Sequence, residues 1–145
     1  MAQVPQTFLD ALAVRTWCGL ALRSLGRARE EIDAINVYPV ADGDTGTNLY
    51  LTLESATAAV EAVFAGHEEG DPSFADALRA MAHGALIGAR GNSGTILAQL
   101  LRGMSLALTE GDVSHVDGTA LRRALRRAAD AAREAVAHPV EGTVL

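Results

Sequence analysis

Apolar residues recur at helical spacing in five stretches of this chain, separated by glycine, proline and short polar runs. The first runs from about Thr7 to Arg29: Phe8, Leu12, Val14, Trp17, Leu20, Leu22 and Leu25 form a wide apolar face, and Thr7 with Asp10 gives a capping-box-like start. Pro39 and the Gly43/Gly46 pair interrupt helical periodicity, so Asn36 to Gly46 is predicted as an ordered loop. A second helix is expected from about Thr47 to Gly66, with Thr47 and Asn48 in its first turn. Asp71-Pro72 has the pattern of a cap and first-turn proline for a third helix reaching about Ile87. The run GARGNSG, residues 88–94, follows, and Asn92 or Ser93 is placed to cap a fourth helix through Leu108. After a turn from Gly111 to Gly118, a fifth helix starts near Asp117 and ends near His138, before Pro139. No βαβ alternation or internal repeat interrupts this order, and the expected class is all-α.

Composition agrees with that class. The 49% hydrophobic share is carried mostly by Ala, Leu and Val while aromatics make up 4%, which favours close helix packing over a β-sandwich core. At 145 residues, one domain can bury a substantial core without disulfides or a structural metal. Cys18, the single cysteine, sits beside Trp17 and near Leu20 and is expected to be a buried structural thiol, compatible with a reducing cytoplasm. No apolar run approaches the roughly 18 to 20 residues needed to span a bilayer.

Charge narrows the chemistry. All twelve basic residues are arginine, so any mechanism needing a phosphate-binding or catalytic lysine is excluded, the P-loop among them. A formal charge of −6 argues against general nucleic-acid binding, and Arg122, Arg123, Arg126 and Arg127 are expected to form a solvated helix face. His67, His83, His115 and His138 have no local signature of a catalytic base and are read as structural or exposed.

Two loops remain as candidate chemistry. NVYPVADGDTGTN, residues 36–48, sets Asp42 and Asp44 one residue apart around Gly43, with Thr45 and Thr47 hydroxyls and a flexible Gly46 behind them. Mg²⁺ favours this donor type, combining one or two carboxylates with phosphate oxygens and water, and Asn36 can add an amide carbonyl. In GARGNSG, Gly91, Asn92, Ser93 and Gly94 open a helix whose free N–H groups can take phosphate oxygens. Taken alone, DGDTG reads first as an Asp/Gly turn in which Asp44 or Thr47 caps a helix, and it is the second loop that changes the weighing. An EF-hand is excluded, because its spacing needs Asp or Asn at 46, Gly at 47 and Glu at 53, where the chain has Gly46, Thr47 and Leu53. A phosphoaspartyl enzyme lacks its usual strand-rich setting, and a Ser93 hydrolase lacks an identifiable base. The pair of loops points to a Mg-nucleotide site.

Those same residues, NVYPVADGDTGTN with GALIGARGNSGTILAQLLRG, resemble the nucleotide-binding domain related to the L subunit of dihydroxyacetone kinase, in the form at the N-terminus of the bacterial fatty acid kinase A subunit. The similarity covers nearly the whole chain, including the PVEGT segment near its end. It implies a mostly antiparallel helical barrel of about eight helices, with Mg-ATP or Mg-ADP held at one end by interhelical loops. The chain would supply roughly the first five, and its last residues, PVEGTVL, have the look of a turn entering a further apolar element. Residues 1–145 are thus expected to be an N-terminal nucleotide-binding kinase domain, truncated at its C-terminal side.

Carried over position by position, the resemblance makes Asp42 and Asp44 metal-binding and catalytic. It places Thr45, Gly46, Thr47, Asn48, Gly91, Asn92, Ser93 and Gly94 around the nucleotide phosphates, and Thr143 and Val144 beside the nucleotide. Dihydroxyacetone kinase subunits have a third metal-binding aspartate upstream of DGD, whereas Val37 and Asn36 occupy that region here, so the resemblance implies either Asn36 as its substitute or water and phosphate oxygens filling the coordination shell. One or two Mg²⁺ ions and ATP/ADP are the implied cofactors. A separate carrier protein would present a fatty acid whose carboxylate takes the γ-phosphoryl group, giving an acyl phosphate. Arg90 is expected in an interhelix salt bridge, with stabilisation of transition-state charge as its alternative. The other readings are a dihydroxyacetone or small-polyol kinase subunit and a non-catalytic nucleotide-binding scaffold. C-terminal domains of the same protein and a second copy in a homodimer are further expected partners.

Overall fold

A computed structural model describes residues 8–37, 42–111, 113–139 and 144. Five helices carry the described residues: α1 (Ala11–Ala34), α2 (Thr45–Ala65), α3 (Phe74–Ile87), α4 (Gly91–Leu108) and α5 (Gly118–Glu134). The only extended pairing among them is an isolated bridge between Leu9 and Val116, which ties the segment before α1 to the segment before α5. The all-α class read from periodicity is the class the chain adopts.

Helix ends depart from expectation for local reasons. α1 is capped by Asp10, whose carboxylate accepts the Ala13 N–H at 2.9 Å, and continues past Arg29 through Glu30, Glu31 and Asp33. Acidic residues at a helix C-terminus oppose its own dipole, but Ile32 packs against the start of α2 and Asp33 bonds to it. α3 is capped by Ser73 rather than Asp71, with Pro72 buried just before it. α4 begins at Gly91, so Asn92 and Ser93 lie inside its first turn and Arg90 is the cap position. Asp117 caps α5 as its sequence position implies, and the helix ends at Glu134, short of His138.

α2 lies between α1 and α3 and also touches α4, which carries α5. α1 and α2 are antiparallel, since Arg15 near the start of α1 bonds Glu61 near the end of α2 while Arg29 bonds Thr47 at the other end. α2 and α4 run the same way, with Asn48 beside Gly91 and Thr52 beside Gly94. The end of α1 and the starts of α2 and α4 therefore share one end of the bundle. The core between them holds Leu53, Val60, Leu78, Met81, Leu101 and Leu108, each stabilising by about 1.5–3 kcal/mol when fully buried. The buried residues of α5 are all small: Ala124, Ala128 and Ala132 are buried, and Gly103 of α4 meets Ala128 and Ala131. Its outer face keeps Arg122, Arg123 and Arg126 in solvent, and exposed Arg127 pairs with Glu110.

No Cα atoms of α1 and α5 lie within 8 Å of each other. Between them is an apolar cavity of about 190 Å³ lined by Val14, Trp17, Met81, Met104, Leu121 and Leu125, and Trp17 and Leu125 remain exposed at its mouth. Among the described residues no helix is long and apolar enough to cross a membrane, and all four histidines are exposed.

Cys18 is fully buried on α1, and burial, aided by the charge of Glu61, pushes its thiol up to about 11. The folded protein is therefore expected to resist an aromatic disulfide reagent at pH 8 and to react at once in denaturant. Rapid modification of the native chain, followed by absorbance, would contradict the buried placement.

Candidate functional site

Of the two sequence loops, the first leaves α1 and enters α2. Its Asn36 faces inward: the side-chain carbonyl oxygen accepts the N–H groups of Asp44 and Thr45, each at 3.1 Å, and the Thr45 hydroxyl at 2.7 Å. An amide oxygen has two lone pairs, so three donors saturate it and leave it no lone pair for a cation in this arrangement. The geometry makes Asn36 the cap of α2 where sequence reasoning made it a metal ligand.

Asp33 closes the rest of the turn. It accepts the Thr47 N–H at 3.0 Å, the Thr47 hydroxyl at 2.6 Å and the Gly46 N–H. Those hydrogen bonds, the Thr47 hydroxyl first and with help from the nearby Arg29 charge, hold the Asp33 carboxyl below the usual aspartate range despite some desolvation. The first-turn N–H groups of α2 are thus satisfied from within the chain.

Asp44 occupies the N-cap position of α2, yet its side chain makes no capping bond. Neither the side chain of Asp44, half-buried, nor that of Asp42, exposed, has a hydrogen-bond or ion-pair partner among the described residues. Asn36 and Asp33 do the capping, and the two carboxylates of the DGD triplet stay uncommitted at the mouth of the loop. A plain capping turn would commit Asp44 to its own helix.

The second loop packs onto the first through α2. The Thr52 hydroxyl donates to the Asn48 carbonyl at 2.7 Å and accepts the Arg90 N–H at 3.1 Å, pinning residue 90 above the second turn of α2. Thr52 is fully buried and stands among Leu51 and Leu53 in the sequence; its one signal there is the four-residue step from Asn48. Gly91 follows with φ 63°, a left-handed conformation that glycine adopts without steric cost, and it lies directly over the Asn48 side-chain amide. Gly94 is buried against the Thr52 hydroxyl oxygen.

α4 has no side-chain cap. The Arg90 N–H is taken by Thr52 and the Gly94 N–H by the Arg90 carbonyl, while the intervening N–H groups of Gly91, Asn92 and Ser93 have no partner among the described residues. Gly91 and Asn92 are exposed and Ser93 half-exposed. Arg90 is also exposed and makes no ion pair among the described residues, where sequence reasoning favoured a salt bridge.

The structure thus brings Asp44, Thr45, Gly46, Thr47 and Asn48 to the same end as Gly91, Asn92, Ser93 and Gly94, with Asn48 touching Gly91. Thr143 lies outside the described residues. Val144 is exposed, and no hydrogen bond or ion pair ties it to the described residues of either loop. No three acidic, His or Cys side chains converge among the described residues, so a cation at Asp42 and Asp44 would complete its shell from other oxygens. Sequence reasoning missed Asp33, Arg29 and Thr52, none of which lies in the glycine-rich motifs.

The family model described as the DAK2 domain matches residues 39–145. Protein YloV of Bacillus subtilis is 40% identical over 124 residues, covering 85% of this chain and 21% of its own length. Uncharacterized proteins of Staphylococcus haemolyticus (39% over 124 residues) and Staphylococcus saprophyticus (37% over 123 residues) match with the same coverage of 85% and 21%. This chain therefore spans about a fifth of the length of the curated relatives it matches. With the family model covering most of its length, the chain belongs to the DAK2 domain family.

Proposed function

We propose that the domain binds a magnesium-complexed adenine nucleotide at the shared end of α1, α2 and α4, as part of a kinase that phosphorylates the carboxylate of a carrier-bound fatty acid. The observation that carries the reading is the pair of uncommitted carboxylates, Asp42 and Asp44, beside an uncapped helix start on α4. Two oxygen donors of this kind fit a hard divalent cation that takes its other ligands from phosphate and water. Asp42 and Asp44 would hold such a cation, whose charge would offset the negative charge that develops on the phosphoryl group.

The chain's own residues divide the work. Asp42 and Asp44 hold the cation. The N–H groups of Gly91, Asn92 and Ser93 donate to phosphate oxygens, supported by the positive end of the α4 dipole. Asn48 orients the loop from below Gly91, and Arg90, which makes no ion pair among the described residues, adds positive charge beside it. An ionised carboxylate acceptor attacks without losing a proton, so the site requires no general base. The Asn-x-x-Pro context of residues 36–39 and the PVEGT segment favour the fatty acid kinase form over a polyol kinase. Acceptor and carrier docking are assigned to parts of the longer protein, in the cytoplasm.

Calorimetric titration of the chain with ADP tests the site, and affinity is expected to rise strongly when Mg²⁺ is added. Equal affinity with and without Mg²⁺ would sink it. For the acceptor, a full-length protein incubated with ATP, fatty acid and carrier should give acyl phosphate. Turnover with dihydroxyacetone instead moves the reading to a polyol kinase, and binding without turnover moves it to a scaffold.

A further inference from the structure

Asp33 is absent from both glycine-rich motifs, and the function proposed above gives it no role. It lies in the last turn of α1, where a negative charge opposes the dipole of its own helix. What offsets that placement is the start of α2: the carboxylate takes both the N–H and the hydroxyl of Thr47, at 3.0 and 2.6 Å, and the Gly46 N–H. Arg29, one turn earlier on α1, donates its Nε to the Thr47 hydroxyl oxygen at 3.1 Å and stacks its guanidinium on the Tyr50 ring with a 5.2 Å separation. Thr47 is thus gripped from two sides by α1.

Two consequences follow for the site. The Thr47 hydroxyl proton points to Asp33, so that hydroxyl has no proton to give a phosphate oxygen, an acceptor-only partner. The loop that carries Asp42 and Asp44 is fastened at both stems, by Asn36 to Asp44 and Thr45, and by Asp33 to Gly46 and Thr47. Loop carboxylates hold a cation well only when their backbone is held first.

We propose that Asp33 is a positioning residue of the nucleotide site, acting through Thr47: it locks the first turn of α2 against α1, sets the loop that presents Asp42 and Asp44, and leaves phosphate binding to the N–H groups of α4. This rests on the nucleotide reading above and adds to it an internal, non-ligand carboxylate and a division of labour between two helix starts.

The test compares the 145-residue chain with Asp33→Asn and Thr47→Val by ADP calorimetry over a Mg²⁺ series, alongside thermal unfolding. Asp33→Asn keeps an acceptor for the Thr47 N–H but loses the charge and the acceptor for the hydroxyl. It is expected to raise the Mg²⁺ concentration needed for half-maximal ADP binding by about tenfold, and Thr47→Val is expected to do the same. Because the two act as one unit, the double variant should be little worse than either single one. An unchanged Mg²⁺ requirement in the folded variants, whatever their melting temperature, overturns the positioning role. Should Asp33→Asn fail to fold, Thr47→Val carries the same comparison.

Amide exchange on the unaltered chain adds an independent reading. Gly46 and Thr47 should be protected before ligand is added and unchanged by Mg-ADP, while Asn92 and Ser93 should gain protection only with it. New protection at Gly46 and Thr47 overturns the division of labour. If the unaltered chain binds no Mg-ADP at all, the nucleotide reading fails and takes this one with it, whereas normal binding with indifferent Asp33 and Thr47 variants removes this inference alone.

Discussion

Gly46→Val is expected to unfold the chain at a temperature roughly 10 °C lower, a loss of about 3 kcal/mol or more. Gly46 is buried in the first turn of α2, where α1 crosses it. A Cβ placed there would collide with the Arg29 carbonyl oxygen and reach 3.0 Å from the Ile32 Cβ. The first of these is helix backbone, which cannot rotate aside like a side chain without giving up its own hydrogen bond. The helices must separate, and the Asp33–Thr47 contact one residue away goes with them. Gly19 supplies the control, since a Cβ on that half-buried position of α1 meets nothing within 4 Å. Gly19→Ala is expected to gain about 0.5–1 kcal/mol from helix propensity alone. Thermal unfolding of the two variants should move in opposite directions, and a Gly46→Val protein melting with the unaltered chain would contradict the close crossing.

How much of this was legible from residues alone depends on whether a partner was local in sequence. The five helices were, because apolar spacing and glycine or proline breaks are local signals. The start of α5 near Asp117 is legible because the group that Asp117 satisfies, the Ala120 N–H, is only three residues on. The start of α2 was not, because its caps come from the chain segment before it: Asn36 reaches across eight and nine residues to Asp44 and Thr45, and Asp33 across fourteen to Thr47. For the same reason Asn36 invited a metal role and Asp33 none, since side-chain chemistry shows what a group can do and only geometry shows what has already occupied it. α1 continues past Arg29 into an acidic end that is locally unfavourable, and the compensating positive end of α2 appears only once the two helices meet. Thr52 was hidden among apolar neighbours, although it carries the hydrogen bonds that bring GARGNSG over DGDTGTN.

The largest functional effect belongs to Asp42→Asn and Asp44→Asn, each expected to weaken ADP binding in saturating Mg²⁺ by at least about tenfold to a hundredfold. Losing a group that merely supports a metal ligand costs about that much, so losing a carboxylate ligand should cost no less. Fold stability should barely move, within about 0.5 kcal/mol. Asp42 is exposed, and Asp44 makes no capping bond that asparagine would break; asparagine is in any case as good at that position. The sign without metal is the sharper test. Two carboxylates near a phosphate repel it when no cation lies between them, so each neutral variant should bind metal-free ADP as well as the unaltered chain or better. The Mg²⁺-dependent gain would shrink from both sides, falling in metal and rising without it. A variant that lost affinity equally in both conditions would instead mark a disturbed loop, and one that kept the full Mg²⁺ response would remove that aspartate from the cation site.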